Sequence, residues 1–454
     1  MTTRIGQRSL PDTLRSVVDG PVFVAGSPGY ESARTPYFTH RLGTPVAAVR
    51  PQHADDVAAT IHIAQETDTP LAVRSGGHSV HSTGDGIILD MGSLNGLDLD
   101  IRGQTAWVGT GLTTGELSRA LAPHGLAVGF GDTGSVGIGG ITLGGGIGFL
   151  SRRHGLTIDN LLAAEIVTAD GRVRIVDPDN EPDLFWAIRG GGGNFGVVTR
   201  MRFRLAELSD MYGGVIVLPA TVETIADLAA VSSQASDDLT VIANIMPIPP
   251  LPFLPASVAG SLGILARVCY SGREDGAEAV RPLREITTPI ADLLGTMPYA
   301  ALFDDEPPDR GERPAIQTMF LDRIDESVAA TMLDHLTRGR SWLRLVQFRV
   351  LGGAISRVAA DATAYGHRNS GILVNLVHGA NPDDSFAGQW TRDLCRELRQ
   401  DDGGAYVNFL GPDDAHRVEA AYPAPTLARL RRIKAMYDPA NLFRSNVNVK
   451  PAEY

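Results

Sequence analysis

The stretch PLAVRSGGHS (residues 70–79) carries the features from which the rest of the chain can be interpreted. Residues 71–73 are apolar and predict a buried strand, and residues 75–77 predict a tight turn. Paired glycines let the backbone adopt positive φ and lie close to a ligand. Such a loop of free amides beside Arg74 suits a pyrophosphate, and the imidazole of His78 could be a base, a metal ligand or a point of covalent attachment. Taken alone, a histidine in such a turn is more often structural.

Length and composition indicate a soluble globular protein of two or three domains. The chain has 454 residues, of which 43% are hydrophobic and 20% charged. Its formal net charge of −12, with no basic block, argues against binding to nucleic acid or to an anionic membrane surface. No apolar run approaches the roughly 18 residues of a transmembrane helix.

The compartment is predicted from two further features. The first residues contain no apolar signal core, and Cys269 and Cys395 form no motif, so we expect a cytoplasmic protein. Lys434 and Lys450 are the only lysines, which we interpret as the genomic bias of a high-GC bacterium.

The first part of the chain predicts an α+β unit. Its expected elements are a strand at 46–50, a helix at 55–66, strands at 71–73, 86–90 and 105–109, and a helix at about 113–125 with capping-box spacing at its start. This β-α-β-β-β-α order with short connections is not that of a doubly wound repeat.

Two glycine-rich segments stand out. Residues 129–148 lack the Gly-Lys-Ser/Thr ending of a loop that binds a nucleoside triphosphate. Apolar residues are interleaved with their glycines, which favours a loop that passes close to a flat ligand rather than a flexible linker or plain tight packing. In residues 190–196, Gly191, Gly193 and Gly196 have the spacing of the dinucleotide fingerprint. They follow a predicted helix (183–189) and precede a strand (197–205), which reverses the order of that fingerprint.

The composition of the sequence changes at about residue 208. We expect strands at 215–218, 262–270, 315–320, 343–351 and 371–377, helices at 221–233, 326–339 and 386–399, and a proline-rich crossing at 244–255. These elements predict an antiparallel sheet with helices on one face. A last helix (426–437) is expected to bury Leu427, Leu430, Ile433 and Met436.

Four ordered motifs resemble one known family. RSGGHS (74–79), GSVGIGGITLGGGIGFLSRRHGLTIDNL (134–161), DLFWAIRGGGGNFGVVT (183–199) and YDPANLFRSNVNVKP (437–451) resemble the berberine-bridge-enzyme-like FAD-linked oxidases of the vanillyl-alcohol-oxidase superfamily, over nearly the whole chain. The resemblance implies a PCMH-type FAD-binding domain made of residues 1–207 and a C-terminal return (406–454), with a substrate domain (208–405) between them.

The same resemblance implies FAD bonded through its 8α-methyl group to His78. Imidazole can add to that methyl in the quinone-methide tautomer of oxidised flavin, and the bond raises the oxidising power of the ring. The residues that the resemblance places around FAD are Arg74, Ser75, Gly76, Gly77 and Ser79 at the pyrophosphate, Gly196 and Val198 at the adenosine, Gly137, Ile138, Gly139, Gly140, Thr142, Gly145 and Gly148 at the ring and phosphates, and Thr133, Gly134, Ser135, Asn446 and Asn448 near the flavin.

The chain departs from the family pattern at two places. Thr133 stands where many relatives have a cysteine that attaches the flavin a second time, so we expect attachment through His78 only. The stretch Tyr406-Val407-Asn408-Phe409 lacks the second tyrosine of its relatives, and Asn375 stands near the position of their Glu or Gln. The base is left open among Tyr406 with a lowered pKa, His378, His367, Tyr365 and a group not identified.

The resemblance predicts an oxidase that takes hydride from a small-molecule alcohol, such as a sugar or a secondary metabolite, and passes the electrons to O₂ to give H₂O₂. Two alternatives are a dehydrogenase with another electron acceptor and a flavin-bearing binding protein that sequesters a drug-like compound. No metal site is expected, because His78 and His81 lie in a turn without a carboxylate or cysteine cluster. No Gly-x-Ser-x-Gly elbow suggests hydrolysis. Substrate and oligomeric state are left open.

Overall fold

The computed structural model describes residues 9–37, 42–79, 85–208, 210–303, 313–380, 386–400, 404–411 and 417–453. Its helices are α1 (Leu10–Arg15), α2 (Tyr30–Arg34), α3 (Ala54–Glu66), α4 (Thr114–Leu121), α5 (Ile138–Leu143), α6 (Ser151–His154), α7 (Pro182–Ile188), α8 (Val222–Gln234), α9 (Gly276–Ala279), α10 (Arg281–Arg284), α11 (Glu326–Arg338), α12 (Ala354–Arg357), α13 (Phe386–Leu398), α14 (Val418–Ala421) and α15 (Ala424–Tyr437).

The strands are β1 (Val22–Phe23), β2 (Ala47–Val49), β3 (Leu71–Arg74), β4 (Ile87–Asp90), β5 (Leu97–Asp100), β6 (Thr105–Gly109), β7 (Leu126–Ala127), β8 (Leu161–Val167), β9 (Val173–Val176), β10 (Val197–Arg204), β11 (Ala206–Glu207), β12 (Asp210–Pro219), β13 (Leu239–Pro247), β14 (Leu262–Tyr270), β15 (Ala291–Asp292), β16 (Gly295–Pro298), β17 (Arg313–Leu321), β18 (Arg344–Val350) and β19 (Ile372–Ala380).

Two larger sheets, and a two-stranded sheet of β7 and β11, form the first part of the chain. The order of the first is β1-β2-β4-β3, with β2, β4 and β3 parallel and β1 antiparallel to β2. The second is antiparallel throughout, in the order β5-β6-β10-β8-β9. Helix α3 packs against the first sheet through Val57, Ile61 and Ala64, which are fully buried at the predicted helical spacing.

Helix α15 returns to this first part of the molecule. Its Leu427, Leu430 and Ile433 lie in the same hydrophobic core as residues of β6, β8 and β10. The prediction that Met436 also faces inward is wrong, since Met436 is 66% exposed. Lys434 lies inward instead, because Asp438 and two backbone carbonyls bind its ammonium group.

The middle of the chain forms a large antiparallel sheet of eight strands, in the order β15-β12-β14-β13-β18-β19-β17 with β16 also paired to β12. Helices α8, α11 and α13 cover one of its faces and share one hydrophobic core with it. The antiparallel sheet with helices on one face, and hence the α+β fold class, is confirmed.

Two sequence-based expectations need correction. Residues 244–247, expected to begin a proline-rich crossing, are the end of β13, because the apolar run from Leu239 continues until the prolines begin at Pro247. The glycine-rich segment 129–148 is not a loop throughout, since it contains the short helix α5. In the described part of the chain, no helix has the length and apolar character needed to cross a membrane.

Candidate functional site

His78 follows β3 in a loop whose shape depends on two glycines. Gly77 has a φ of +78°, in the left-handed region that other residues rarely adopt. A Cβ on Gly76 would lie 2.2 Å from the backbone nitrogen of Gly137, so the two loops touch through their backbones. Any side chain at Gly76 would separate them.

The loop of residues 132–137 faces the histidine loop. Its Gly137 forms a β-bridge with Thr113, and the Val136 carbonyl accepts a hydrogen bond of 2.8 Å from the amide of Thr114, at the start of α4. These contacts bring the Oγ of Ser135 to 2.9 Å from Nε2 of His78. The two loops therefore form one unit around the imidazole.

The imidazole of His78 is neutral at physiological pH. Burial lowers its pKa from 6.5 to about 4. The ring of Tyr37 stacks on it, with 4.1 Å between centroids and an angle of 17° between planes. Nε2 contacts Ser135, whereas Nδ1 has no partner among the residues that the structure describes. A neutral ring with one unoccupied nitrogen is suited to nucleophilic attack.

Arg74 borders the same space, but its guanidinium faces away from the loop amides. Nη1 and Nη2 donate to the carbonyls of Thr35 (2.8 Å) and Ser32 (2.9 Å), and Nη2 lies 3.5 Å from Oδ2 of Asp90. Arg74 therefore fixes the N-terminal segment, with Tyr37 at its end, against the histidine loop.

Tyr406 lies beneath the glycine turn at residues 144–148. Its hydroxyl oxygen accepts hydrogen bonds of 2.9 Å from the amide of Gly146 and 2.9 Å from Nδ2 of Asn408, whose Nδ2 also donates to the Ile141 carbonyl. Burial nevertheless raises the pKa of Tyr406. The lowered pKa assumed from the sequence is therefore wrong, and Tyr406 is a neutral phenol whose own proton is left for another acceptor.

The remaining predicted bases lie outside the cavity. His378 is fully buried on the helix-covered face of the large sheet, where it packs against Trp390 and its Nδ1 lies 2.8 Å from the Gly379 carbonyl. His367 bonds two backbone carbonyls near α14, and burial raises the pKa of Tyr365 far above its usual value. None of the three is among the described residues that line the cavity.

The uncovered face of the large sheet carries a row of amide side chains. Asn244 pairs with Gln347, and Gln347 with Asn375, so the three side chains share one face. Nε2 of Gln347 donates to Oδ1 of Asn244 over 2.8 Å. Oδ1 of Asn375 is buried and accepts no hydrogen bond from the described residues. An amide cannot take a proton as a carboxylate can, so Asn375 can bind a donor but is not a base.

Arg349 connects this row to the loop of residues 132–137. Its guanidinium donates to Oε1 of Gln347 (2.8 Å), to the Ile147 carbonyl (2.8 Å) and to Oδ2 of Asp132 (3.0 Å). Nη1 of Arg267, on β14, donates to the Asp132 carbonyl over 2.6 Å. Asp132 is thereby fixed where the two halves of the molecule meet, and it is the only carboxylate among the described residues that line the cavity.

The C-terminal segment closes the other end of the site. Nδ2 of Asn446 donates to the Gly193 carbonyl (3.0 Å), and Asn194 bonds both the Val447 carbonyl (3.1 Å) and the Val449 amide (2.9 Å). The glycine run at 190–196 and the end of the chain therefore form a single wall.

The histidine loop, the loop of residues 132–137, the amide row and the C-terminal segment surround one cavity of about 1230 Å³. The predicted site residues that line it are Arg74, Ser75, Gly76, Gly77, His78, Ser79, Thr133, Gly137, Gly139, Gly140, Gly196, Val198, Asn375, Tyr406 and Asn446. Those that do not are Gly134, Ser135, Ile138, Thr142, Gly145, Gly148, His378 and Asn448, of which Ser135 contacts His78 itself. His81 lies outside the described residues.

The cavity fits FAD in shape and in chemistry. It is larger than most single-ligand pockets, which hold roughly 300–1,000 Å³. Among the lining residues, the buried Oδ1 of Asn446 accepts no hydrogen bond from the described residues, although buried polar atoms are normally bonded. The flavin, ribityl and adenine groups of FAD supply the N–H and O–H donors that this oxygen requires.

Sequence reasoning missed the polar residues that line the substrate end of the cavity. These are Tyr37, Asp132, Asn244, Arg267, Gln347 and Arg349. Asp132 had a usable signal, as the one acidic residue within the glycine run 129–148. Asn244, Arg267, Gln347 and Arg349 had none, because they become neighbours only through pairing of distant strands. Tyr37 had none either, because it stacks on His78 from a separate segment near the N-terminus.

The fold and the site together define a flavoprotein oxidoreductase, with a two-part cofactor domain and a sheet that presents polar side chains to the cavity. Residues 45–177 match the family model described as FAD binding domain, and residues 405–450 match the model described as berberine and berberine like.

Relatives and solved structures agree with this class. An uncharacterized FAD-linked oxidoreductase of Bacillus subtilis (strain 168) is 31% identical, over 95% of this chain and 98% of its own. Xylooligosaccharide oxidase of Thermothelomyces thermophilus is 28% identical, over 100% of this chain and 98% of its own. The crystal structure of 6-hydroxy-D-nicotine oxidase from Arthrobacter nicotinovorans superposes with a TM-score of 0.82 at 26% identity, covering 96% of this chain and 98% of that one. The chain belongs to the berberine-bridge-enzyme-like family of FAD-linked oxidoreductases.

Proposed function

We propose that this FAD-linked oxidoreductase holds its cofactor through a single covalent bond to His78, oxidises a small-molecule alcohol, and uses dioxygen as electron acceptor, giving H₂O₂. The observation that carries the proposal is the continuity of one cavity from the neutral imidazole of His78 to the amide row of the large sheet. When bound, FAD supplies the acceptor for the substrate's hydride.

Attachment at one residue is supported by the chemistry of the alternatives. Thr133, at the position of the second attachment in relatives, carries a hydroxyl and no thiol. Cys269 is fully buried, and burial raises the pKa of its thiol to about 12, which keeps it from acting as a thiolate nucleophile. Cys395, on α13, borders the cavity but is 4% exposed and packs within the core of the helix-covered face.

The substrate is expected to lie between the cofactor and the amide row. The unsatisfied Oδ1 of Asn375 suits a hydroxyl or amine donor of the substrate, and the proton of Tyr406 suits an acceptor oxygen or nitrogen. Both groups are uncharged, which fits the neutral hydroxyl of an alcohol. The two relatives named above act on an oligosaccharide and on a hydroxylated nicotine by their names, so both compound classes belong in a first substrate panel.

We assign removal of the substrate's hydroxyl proton to Asp132. Its Oδ2 is held by Arg349, whereas Oδ1 has only the Thr133 hydroxyl, at 3.5 Å, among its described partners. A positioned carboxylate with one free oxygen can accept a proton while hydride leaves the adjacent carbon. Tyr406, as a neutral phenol with two donors on its oxygen, orients the substrate instead.

Acid precipitation of the purified protein tests the attachment. We expect yellow colour to stay in the pellet for the wild type and to be lost for His78→Ala, with one histidyl flavin peptide in the mass spectrum. Flavin entirely in the wild-type supernatant, or a flavin peptide containing Cys269 or Cys395, would contradict the proposal.

Substrate oxidation is tested with a panel of alcohols that includes xylobiose, and with the amine 6-hydroxynicotine beside them. Flavin bleaching without air, followed by peroxide formation when air is admitted, is the expected result. Bleaching and turnover only with an artificial acceptor would assign a dehydrogenase. Tight binding that shifts the flavin spectrum but never bleaches it would assign a binding protein.

The assignment of Asp132 is tested on the panel member that bleaches the flavin fastest. Asp132→Asn should slow bleaching by about 10²- to 10⁴-fold, the usual contribution of a general base, while leaving the flavin attached. Asp98→Asn, at an exposed carboxylate outside the cavity, is the control and should have no effect. An Asp132→Asn protein that bleaches at the wild-type rate would refute the assignment.

A further inference from the structure

We infer that the substrate is an alcohol with an apolar body, and that this body lies on an aliphatic band next to the amide row, formed by Met246, Ile316, Leu343, Leu345 and Val377. The inference rests on the proposed oxidation of an alcohol in this cavity and names the substrate class that fits it. An alkyl or aryl carbinol fits the band, whereas an oligosaccharide, which is covered with hydroxyl groups, does not.

Strand pairing places the aliphatic band on the same face of the large sheet as the amide row. Side chains two residues apart on a strand point to the same face. Leu345 lies two residues before Gln347 on β18, and Val377 lies two residues after Asn375 on β19. Leu345 and Val377 are directly opposite each other, and Val377 is opposite Ile316 on β17. The band therefore runs parallel to the amide row, one step further along the strands.

No described part of the protein covers the aliphatic band. Its five side chains are half-buried, and none of them belongs to a hydrophobic core of the described residues or packs against one. The row on the other side of the amide row differs, since Leu373 and Phe320 are opposite each other and pack in a core with Tyr406. A contiguous apolar surface inside a cavity is typical of a site where the apolar part of a ligand binds.

The band offers a ligand no polar group. Its side chains carry no donor, acceptor or charge, so a ligand on it gains free energy only by removing carbon surface from water. A hydroxyl placed there would lose its hydrogen bonds to water without replacement. Arg392, Arg396 and Arg399 also line the cavity, but they lie on α13, which packs on the opposite face of the sheet.

The spacing of the rows determines the shape of the substrate. Two residues along a strand span roughly 7 Å. When the substrate's hydroxyl contacts Asn375, the carbon chain or ring attached to the reacting carbon therefore reaches Leu345 and Val377 within a few bonds. These two residues would then select the substrate by the polarity of the group next to the carbinol.

The test measures binding of tertiary alcohols to the flavin-loaded protein, because a tertiary carbinol has no hydrogen to lose as hydride and binds without being oxidised. The probes are tert-butanol and its homologues in which one methyl group is extended by one, two or three methylene groups, with xylobiose as the polar comparison. Dissociation constants are obtained from the flavin absorption spectrum and from titration calorimetry.

The variants change the polarity of the band at similar side-chain size. They are Val377→Thr, which keeps the shape of the side chain, and Val377→Thr combined with Leu345→Gln. Val173→Thr makes the same change at an exposed position of β9 outside the cavity and is the matched control.

Each added methylene should lower the dissociation constant of the wild type by roughly threefold to fourfold, the effect of burying one CH₂ group. The combined variant should reduce this effect to less than about twofold per methylene, because the lengthened chain must then remove water from polar side chains. Val377→Thr should lie between the two, and Val173→Thr should match the wild type. Xylobiose should bind the wild type more weakly than the longest alcohol does.

A wild-type dissociation constant that does not change along the series, no binding in either measurement, or tighter binding of xylobiose than of the longest alcohol would overturn the inference. An unchanged dependence on chain length in both band variants would also overturn it, because the apolar contact would then lie elsewhere. If the tertiary alcohols bind as expected but no oxidisable alcohol bleaches the flavin, the inference is supported and the proposed function fails instead.

Discussion

Replacing Arg349 by methionine should destabilise the protein at the boundary between its two halves. Arg349 is 6% exposed, and its guanidinium is bound by the loop carboxylate of Asp132, the Ile147 carbonyl and the amide oxygen of Gln347. Methionine fills a similar volume without donating any hydrogen bond. The substitution therefore removes the polar contacts with little change in packing.

The expected loss in the free energy of unfolding depends on the charged group that loses its partner. The Asp132 side chain is 15% exposed, so Arg349→Met leaves a mostly buried carboxylate without its counter-charge, and removing one partner of a buried ion pair costs about 3–5 kcal/mol. Asp132→Asn leaves the buried guanidinium unpaired and should also destabilise. The double variant leaves no unpaired charge, so its cost should fall below the sum of the single costs by about 1–3 kcal/mol.

Equilibrium unfolding in urea, followed by circular dichroism on the flavin-free protein, measures all three variants. Arg281→Met is the matched control, because Arg281 also binds two carboxylate side chains, Glu278 and Glu285, but is 55% exposed. It should cost less than about 1 kcal/mol. If Arg349→Met also cost less than about 1 kcal/mol, or if the costs of the two single variants added up to that of the double variant, the ion pair of Arg349 and Asp132 would not stabilise the contact between the two halves.

Three further predictions concern the cofactor site. The rate of FAD attachment should stay constant as the pH falls to about 5 and decline only near pH 4. The reason is that the imidazole of His78 becomes protonated, and loses its lone pair, only below its lowered pKa of about 4. A decline centred near pH 6.5 in the acid-precipitation assay would contradict the argument that burial lowers this pKa. Gly137→Ala should abolish FAD binding in fluorescence titrations, because its Cβ would overlap the backbone of Gly76, whereas Gly96→Ala, with open space around it, should bind normally. Tyr406→Phe should slow flavin bleaching by roughly tenfold, through loss of one hydrogen bond to the substrate. The pH dependence of bleaching should not change below pH 9, because the pKa of the Tyr406 phenol is raised. Loss of one limb of the pH profile in this variant would instead identify a phenolate base.

The sequence predicted elements well where a local pattern determines them. Strand β14 occupies residues 262–270 as expected, since its alternating apolar residues lie between glycine- and serine-rich turns. Helix α4 begins at the expected capping box, where the side chains of Thr113 and Glu116 bond each other's backbone amides. The prediction failed at position 434, because the helical pattern alone does not show that a lysine can be buried against a carboxylate and two carbonyls.

Some residues of the site could likewise be predicted from a local motif, and others could not. The motif RSGGHS indicated His78 because the glycines and the histidine are adjacent in the chain. The contact of Asp132 with Arg349 joins residues 217 positions apart and exists only because the large sheet packs against the glycine loop. Sequence reasoning left the base open among Tyr406, His378, His367, Tyr365 and a group not identified, and it placed Asn375 near the position of the Glu or Gln of relatives. It had no means of registering that the alternation of β19 turns His378 to the opposite face from Asn375.

The groups proposed to act in the chemistry lie mainly on the cofactor side of the cavity. The face of the large sheet that lines the cavity offers neutral amides and arginines, and the acid among the described lining residues lies instead on the cofactor side, three positions before Ser135. If Asp132 takes the substrate's proton, the short loop that contacts His78 through Ser135 also serves the reduction of the cofactor. The amide row can then change with the substrate without removing either function, because it contributes orientation alone. Asn375→Asp tests this assignment, because it introduces a carboxylate next to the substrate. It should restore flavin bleaching in the Asp132→Asn protein only if that protein lacks a proton acceptor.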